Sequence, residues 1–74
     1  MNRDEFLTKM QDILQYEHDE ELTYATNIAN LEEWDSISVI SIVAFLDSEF
    51  GKKITVNDLK DVKTIEEIAM LAGI

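Results

Sequence analysis

Residues 34–51 read "WDSISVISIVAFLDSEFG", and this stretch decides the fold. Its apolar residues recur at helical spacing from Ser36 to Phe50, and Gly51 follows at a position where glycine commonly ends a helix. The stripe predicted to face the core comprises Ile37, Val43, Leu46 and Phe50. Because further apolar residues widen this stripe, the helix is expected either to lie centrally in a bundle or to present apolar side chains to a partner.

The composition of the chain favours one small helical domain spanning residues 1–74. Hydrophobic residues make up 46% of the 74 positions, there is no proline, and there are only two glycines. This scarcity of turn residues argues against a β architecture. The chain has no cysteine, so neither disulfides nor thiolate-bound zinc can stabilise it. Packing must therefore hold the fold together.

The first helix is predicted from Asn2 and Glu5, whose spacing is typical of a capping box, and it is expected to end near Tyr16. Periodicity is then lost over residues 17–34, which are predicted to form a long loop held against the core. The expected anchors of this loop are Leu22, Ile28 and Leu31. A loop of this length in so small a domain is uncommon and is often functional.

Two more capping patterns follow the long helix. Thr55 with Asp58 predicts a short capped turn, and Thr64 with Glu67 predicts a capping box for a last helix. The sequence therefore predicts an all-α fold, with three main helices, one short helix and a long loop between the first two helices.

Charge and motif content exclude several functions. The formal net charge of −10 repels nucleic-acid phosphate and anionic membranes, so we expect partners with basic surfaces. The longest apolar run, Ile42–Leu46, is too short to span a bilayer, and no secretory signal is visible, so we expect a cytoplasmic protein. The lone His18 is interpreted as a solvated loop residue, which argues against a catalytic triad and against an enzyme. The segment from Asp47 departs from the calcium-loop pattern, so no metal site is expected.

Asp35 and Ser36 stand at the predicted start of the long helix. Aspartate is a favoured N-cap residue, because its carboxylate accepts hydrogen bonds from unpaired amides of the first turn. A serine in that turn is also well placed for an anionic modification, since the free N–H groups there suit a phosphate. The pair is therefore interpreted either as a plain helix cap or as a modification site.

The stretch "WDSISVISIVAFLDSEFG" resembles the second helix of acyl carrier and related carrier proteins, which is marked by an Asp-Ser-Leu triplet, here Asp35-Ser36-Ile37. The acidic composition and the order of elements are similar to that family over nearly the whole chain. The resemblance implies a small four-helix bundle. It implies that Ser36 carries 4′-phosphopantetheine, added from coenzyme A by a separate magnesium-dependent phosphopantetheinyl transferase that recognises Asp35. The thiol of this arm would hold acyl or aminoacyl groups as thioesters, so the protein would be a carrier rather than an enzyme.

The chain departs from the pattern of fatty-acid carriers, which have a run of acids along the second helix. Serines replace them here at Ser38, Ser41 and Ser48, so the partner-facing side of the helix is predicted to be less acidic. Acidic residues concentrate instead at Glu17, Asp19, Glu20, Glu21, Glu32 and Glu33. We therefore expect a specialised lipid, polysaccharide or secondary-metabolite pathway rather than bulk fatty-acid biosynthesis.

Partner enzymes are expected to contact one side of the second helix. Ile40 and Ala44 lie four residues apart and are offset from the predicted core stripe. The full set of predicted partner-binding residues is Ile37, Ile40, Ser41, Ala44 and Asp47. Trp34 is expected to lie in the core or to anchor the loop, because buried aromatic residues dominate small cores, and contact with a partner is the alternative.

The expected partners are the transferase, an acyl or aminoacyl ligase, and synthases or transferases with basic docking surfaces, and the chain is expected to be a monomer. The alternative hypothesis is an acidic helical adaptor that binds a basic partner through the second helix and is never modified at Ser36.

Overall fold

A computed structural model describes residues 1–74 and contains four α-helices and no strand. The helices are α1 (Arg3–Leu14), α2 (Ser36–Phe50), α3 (Val56–Leu59) and α4 (Ile65–Ala72). A 3₁₀ helix, Ile28–Asn30, interrupts the long connection between α1 and α2. The predicted all-α architecture of three main helices and one short helix is confirmed. No helix has both the length and the apolar character needed to cross a membrane.

The predicted capping box of α1 is confirmed. The side chain of Asn2 accepts a hydrogen bond from the Glu5 amide at 2.8 Å, and the Glu5 carboxylate accepts one from the Asn2 amide at 3.0 Å. The helix ends at Leu14, two residues before the predicted end near Tyr16. The reason is Gln15, whose φ of 53° is left-handed and closes the helix.

The predicted cap of α3 is confirmed, whereas that of α4 is only half formed. The side chains of Thr55 and Asp58 each accept a hydrogen bond from the other's amide, at 3.3 and 2.8 Å. Before α4, the Thr64 hydroxyl accepts from the Glu67 amide at 3.4 Å. The Glu67 carboxylate, however, accepts from the amide of Lys63 at 2.8 Å instead of from that of Thr64.

The core-facing side of α2 differs from the predicted stripe. Ile42 and Leu46 are fully buried, while Ile37 is 78% exposed, so Ile37 does not belong to the core-facing stripe and is accessible for its other predicted role in partner binding. Val43 and Phe50 pack against the core and are partly buried. The spacing of apolar residues could not show which side of α2 faces the core, because the helix is apolar on almost every side and several stripes fit the same helical period. The buried core is Phe6, Met10, Leu14, Leu22, Ile28, Ile42, Leu46, Leu59, Val62, Ile65, Ile68, Ala69 and Ala72.

Aromatic rings fill the space between α1 and α2. Phe6 of α1 is fully buried, and the centroids of the Tyr24, Phe45 and Phe50 rings lie 5.9–6.4 Å from its own. Phe45 and Phe50 also meet edge to face at 5.8 Å. Such contacts add to the free energy of burial and fix the register of α1 against α2.

The long loop is tied to the core as predicted. Leu22 and Ile28 are buried, and Leu31 packs partly buried against the same cluster. The Ile28 amide donates to the carbonyl oxygen of Lys63 at 2.8 Å, which fastens the loop to the segment just before α4. The loop therefore approaches the start of α2 from a fixed position.

A cluster around Arg3 joins the start of α1 to the start of α4. The Arg3 guanidinium makes a bidentate ion pair with Glu66, lies 4.6 Å from the ring centre of Tyr24, and donates to the carbonyl oxygen of Ile74 at 3.2 Å. The Tyr24 hydroxyl donates to the carbonyl oxygen of Arg3. The hydrogen bond from Arg3 lowers the pKa of the Glu66 carboxyl, and burial raises the pKa of Tyr24.

We predict that Ile42→Ala lowers the free energy of unfolding by about 2–5 kcal/mol, because it leaves a cavity in the core. The matched control Ile37→Ala should change it by less than about 0.5 kcal/mol, because this side chain already contacts water. Urea titration of both variants measures the difference. Similar losses in both would contradict the assignment of the buried face of α2.

Candidate functional site at the start of α2

Asp35 caps α2, as the sequence predicted. Its carboxylate Oδ1 accepts a hydrogen bond from the Ser38 amide at 2.9 Å, and its carbonyl oxygen accepts from the Val39 amide at 3.0 Å. The carboxylate charge also lies at the positive end of the helix dipole. The first turn of α2 is therefore fixed from its first residue.

Ser38 is a structural residue. Its side chain is turned inward with only 8% exposure, and its hydroxyl donates to the carbonyl oxygen of Glu33 at 2.6 Å. The prediction that Ser38 lies on the partner-facing side of the helix was therefore wrong. Ser38 lies four residues before Ile42 on the same inward side, so position 38 faces the loop rather than solvent. This hydrogen bond joins the end of the loop to α2.

The loop is also held by a contact between the side chains of His18 and Glu33. The Nε2 atom of His18 lies 2.6 Å from Oε2 of Glu33, and the His18 ring centre lies 4.7 Å from that of Tyr16. The expectation that His18 is only solvated was thus incomplete, since the side chain is exposed yet paired. The other carboxylate oxygen of Glu33 is buried and has no hydrogen-bond partner. His18 therefore contacts the loop end that precedes Ser36, through Glu33.

Ser36 is the first residue of α2, and its side chain is exposed. Its hydroxyl makes no hydrogen bond with the rest of the chain. Ser41 and Ser48 are also exposed, but they lie further along the helix. Ser36 is thus the one serine of α2 that combines an unpaired, exposed hydroxyl with the helix start.

Ser36 opens onto a groove of about 520 Å³ between α2 and α3. The groove is lined by Trp34, Asp35, Ser36, Val39, Ile40, Val56, Leu59 and Lys60. Trp34 packs partly buried against the core, as expected of a loop anchor, and its remaining surface faces this groove. Val56 and Lys60 were not predicted from the sequence, because a four-residue helix is too short for its periodicity to show which side faces α2.

All five predicted partner-binding residues are exposed, and their spacing along α2 places them on one side of the helix, where Ile37 and Ser41 line a common groove. Ile37 and Ile40 are exposed close to Ser36, at 78% and 59%. Ser41 and Ala44 line a second groove, between α2 and α1. Asp47 lies near the end of α2, where its carboxylate pairs with Lys53 at 2.9 Å. Only Ile40 lines the groove that Ser36 opens onto.

The chemistry of the site suits covalent attachment of an anionic group with apolar parts. One free hydroxyl stands at a helix start, the groove beside it has mostly apolar walls, and Lys60 supplies a positive charge at its edge. No group of three or more His, Cys, Asp or Glu side chains in the structure is arranged to hold a metal ion.

Comparison with protein families identifies one match. A family model described as a phosphopantetheine attachment site matches residues 4–71, which include nearly all of the four helices. Neither the curated proteins nor the solved structures that were compared contain a match to the chain.

We predict that Asp35→Ala lowers the free energy of unfolding by about 1 kcal/mol, because the Ser38 amide loses its acceptor. Asp35→Asn should stay close to the wild-type value, because asparagine is an equally good N-cap. Thermal unfolding followed by circular dichroism measures both. An Asn variant as unstable as the Ala variant would show that the charge of Asp35, and not its hydrogen bond, holds the helix start.

Proposed function

Because the chain belongs to the phosphopantetheine attachment-site family, we propose that Ser36 is the serine to which 4′-phosphopantetheine is attached. Members of this family carry the group covalently on a serine and are carriers, not enzymes. The observation that supports Ser36 is its exposed hydroxyl at the start of α2, which forms no hydrogen bond with the chain and opens onto a groove. Ser38, two residues away, is buried and hydrogen-bonded.

Asp35 is proposed to be read by the phosphopantetheinyl transferase. Its Oδ1 atom is occupied by the cap, while its Oδ2 atom makes no hydrogen bond with the chain, and the side chain is exposed. One carboxylate can thus hold the helix start and present an oxygen to the transferase and its magnesium ion. Since capping fixes the first turn, Ser36 is presented in a defined position while it is modified.

The attached arm supplies a terminal thiol on which acyl or aminoacyl groups are held as thioesters. We propose that the chain carries such groups for a specialised lipid, polysaccharide or secondary-metabolite pathway. The lack of cysteine fits this function, because the reactive sulfur comes with the arm. The net charge of −10 favours a ligase and acceptor enzymes with basic docking surfaces, because complementary charge would raise their rate of association with the chain.

The apolar surface beside Ser36 is proposed to bind the partner enzymes. Ile37 and Ile40 expose most of their side chains next to the attachment site, and exposed branched apolar residues in such a position favour contact with a partner. Ser41, Ala44 and Asp47 continue this exposed side towards the end of α2, so a partner that covers more of the helix would contact them as well.

We further propose that residues 1–74 form one carrier domain that acts as a cytoplasmic monomer. The core draws on side chains from Phe6 to Ala72, so nearly the whole chain contributes to a single cluster. The absence of cysteine agrees with a reducing compartment.

We predict that Ser36→Ala abolishes attachment of the arm and leaves the fold unchanged, because the hydroxyl makes no contact that the fold needs. The control Ser41→Ala removes another exposed α2 hydroxyl and should be modified like wild type. Incubation with coenzyme A and a broad-specificity transferase, followed by intact-mass measurement, gives the result. A mass gain in the Ser36→Ala variant would reject Ser36, and no gain in any variant would favour the unmodified adaptor.

We predict that Ile40→Asp lowers kcat/KM for loading by the cognate ligase about tenfold or more, because it places a charge in an apolar contact. The control Ser48→Asp adds the same charge at an exposed position two turns further along α2 and should have a smaller effect. Wild type and both variants are compared after each has been fully modified with the phosphopantetheine arm. Equal rates for Ile40→Asp and wild type would show that this surface is not where the ligase docks. The acidic loop of residues 17–34 would then be the next docking surface to test.

A further inference from the structure

The groove beside Ser36 contains one basic side chain, that of Lys60 at the end of α3. We propose that Lys60 forms an ion pair with the phosphodiester that joins the arm to Ser36, and so draws the arm towards the groove between α2 and α3. This inference rests on the proposed function of Ser36, and it adds a residue outside the Asp-Ser-Ile triplet to the attachment site.

Lys60 is available for this contact. Arg3 is committed to Glu66 and Lys53 to Asp47, whereas no carboxylate lies within ion-pair distance of Lys60. Lys60 is exposed and lines the groove together with Val56 and Leu59, so the apolar part of its long side chain can pack there while its ammonium group reaches solvent. A flexible stem with a compact charge suits a single phosphate oxygen.

Attachment of the arm creates the need for such a cation. The phosphodiester places a further negative charge beside Asp35, in a chain that already has a net charge of −10. At this short range salt screens the repulsion incompletely, because the Debye length is about 8 Å at physiological ionic strength. A lysine in the same groove offsets this repulsion, and the low-polarity walls strengthen the attraction.

Trp34 provides an independent fluorescent reporter of where the attached arm lies. It is the only tryptophan of the chain and lines the same groove as Ser36 and Lys60. If Lys60 holds the phosphodiester over the groove, the arm lies close to the indole, so its fluorescence should change when the arm is attached. The change should diminish when Lys60 loses its charge.

The test compares Lys60→Gln with Lys63→Gln, each with and without the arm. Both substitutions remove one exposed positive charge, but Lys63 does not line the groove. In wild type and Lys63→Gln, attachment should change Tm similarly. In Lys60→Gln, attachment should lower Tm by about 2–5 °C more, the size expected for one lost charge pair in a domain of this length. This additional loss of Tm in Lys60→Gln should vanish at 1 M salt, where the Debye length is about 3 Å.

Two spectroscopic readouts accompany the melting data. The ³¹P resonance of the phosphodiester and the fluorescence change of Trp34 should both be altered in Lys60→Gln and unaltered in Lys63→Gln. Equal behaviour of the two variants in all three measurements would overturn the inference, because it would leave only a general charge effect.

A second preparation separates failure of this inference from failure of the proposed function. A chain synthesised with phosphoserine at position 36 carries a phosphate without any transferase. If the transferase does not modify the protein, the proposed function fails, yet Lys60→Gln should still destabilise the phosphoserine chain more than Lys63→Gln does. An equal loss of Tm in both phosphoserine chains would overturn the role of Lys60 even where Ser36 accepts the arm.

Discussion

The hydrogen bond from the Ser38 amide to Asp35 Oδ1 is the constraint on which the site depends. It fixes the residue at which α2 begins. The Ser38 hydroxyl then bonds the Glu33 carbonyl oxygen, so the loop and the helix are joined on both sides of Ser36. Because these two contacts use Asp35 and Ser38, the hydroxyl between them stays free and points away from the core. An exposed nucleophile in a defined position follows from the polar contacts of its neighbours.

The two-sided apolar character of α2 has a structural explanation. One side places Ile42 and Leu46 in the core, against the aromatic cluster around Phe6. The opposite side leaves Ile37 and Ile40 in water beside Ser36. A helix that contributed only to the core would not need a second apolar side that is exposed to water. Its exposed apolar residues therefore belong with the proposed contact to partner enzymes.

Much of the fold could be predicted from the sequence because it is set by local contacts. The caps at Asn2, Asp35 and Thr55 involve residues three positions apart, and such short-range patterns are visible in a sequence. The inward direction of Ser38 and the outward direction of Ile37 depend on where the loop packs. A helix this uniformly apolar has no single stripe from which to read that direction.

The site could be predicted only in part for the same reason. Asp35 and Ser36 are adjacent, so their pairing at a helix start needed no tertiary information. Val56 and Lys60 reach the groove because α3 packs against α2, which follows from contacts between residues about twenty positions apart in the chain. The pairing of His18 with Glu33 likewise spans fifteen residues.

The central claim is that this carrier domain is modified at Ser36, and the most direct test is to locate the arm on the wild-type protein. After reaction with coenzyme A and transferase, tandem mass spectrometry of the peptide covering α2 distinguishes its four serines. We expect a single arm, on Ser36, with Ser38, Ser41 and Ser48 unmodified. An arm on any of these other serines, or a peptide that stays unmodified, would contradict it.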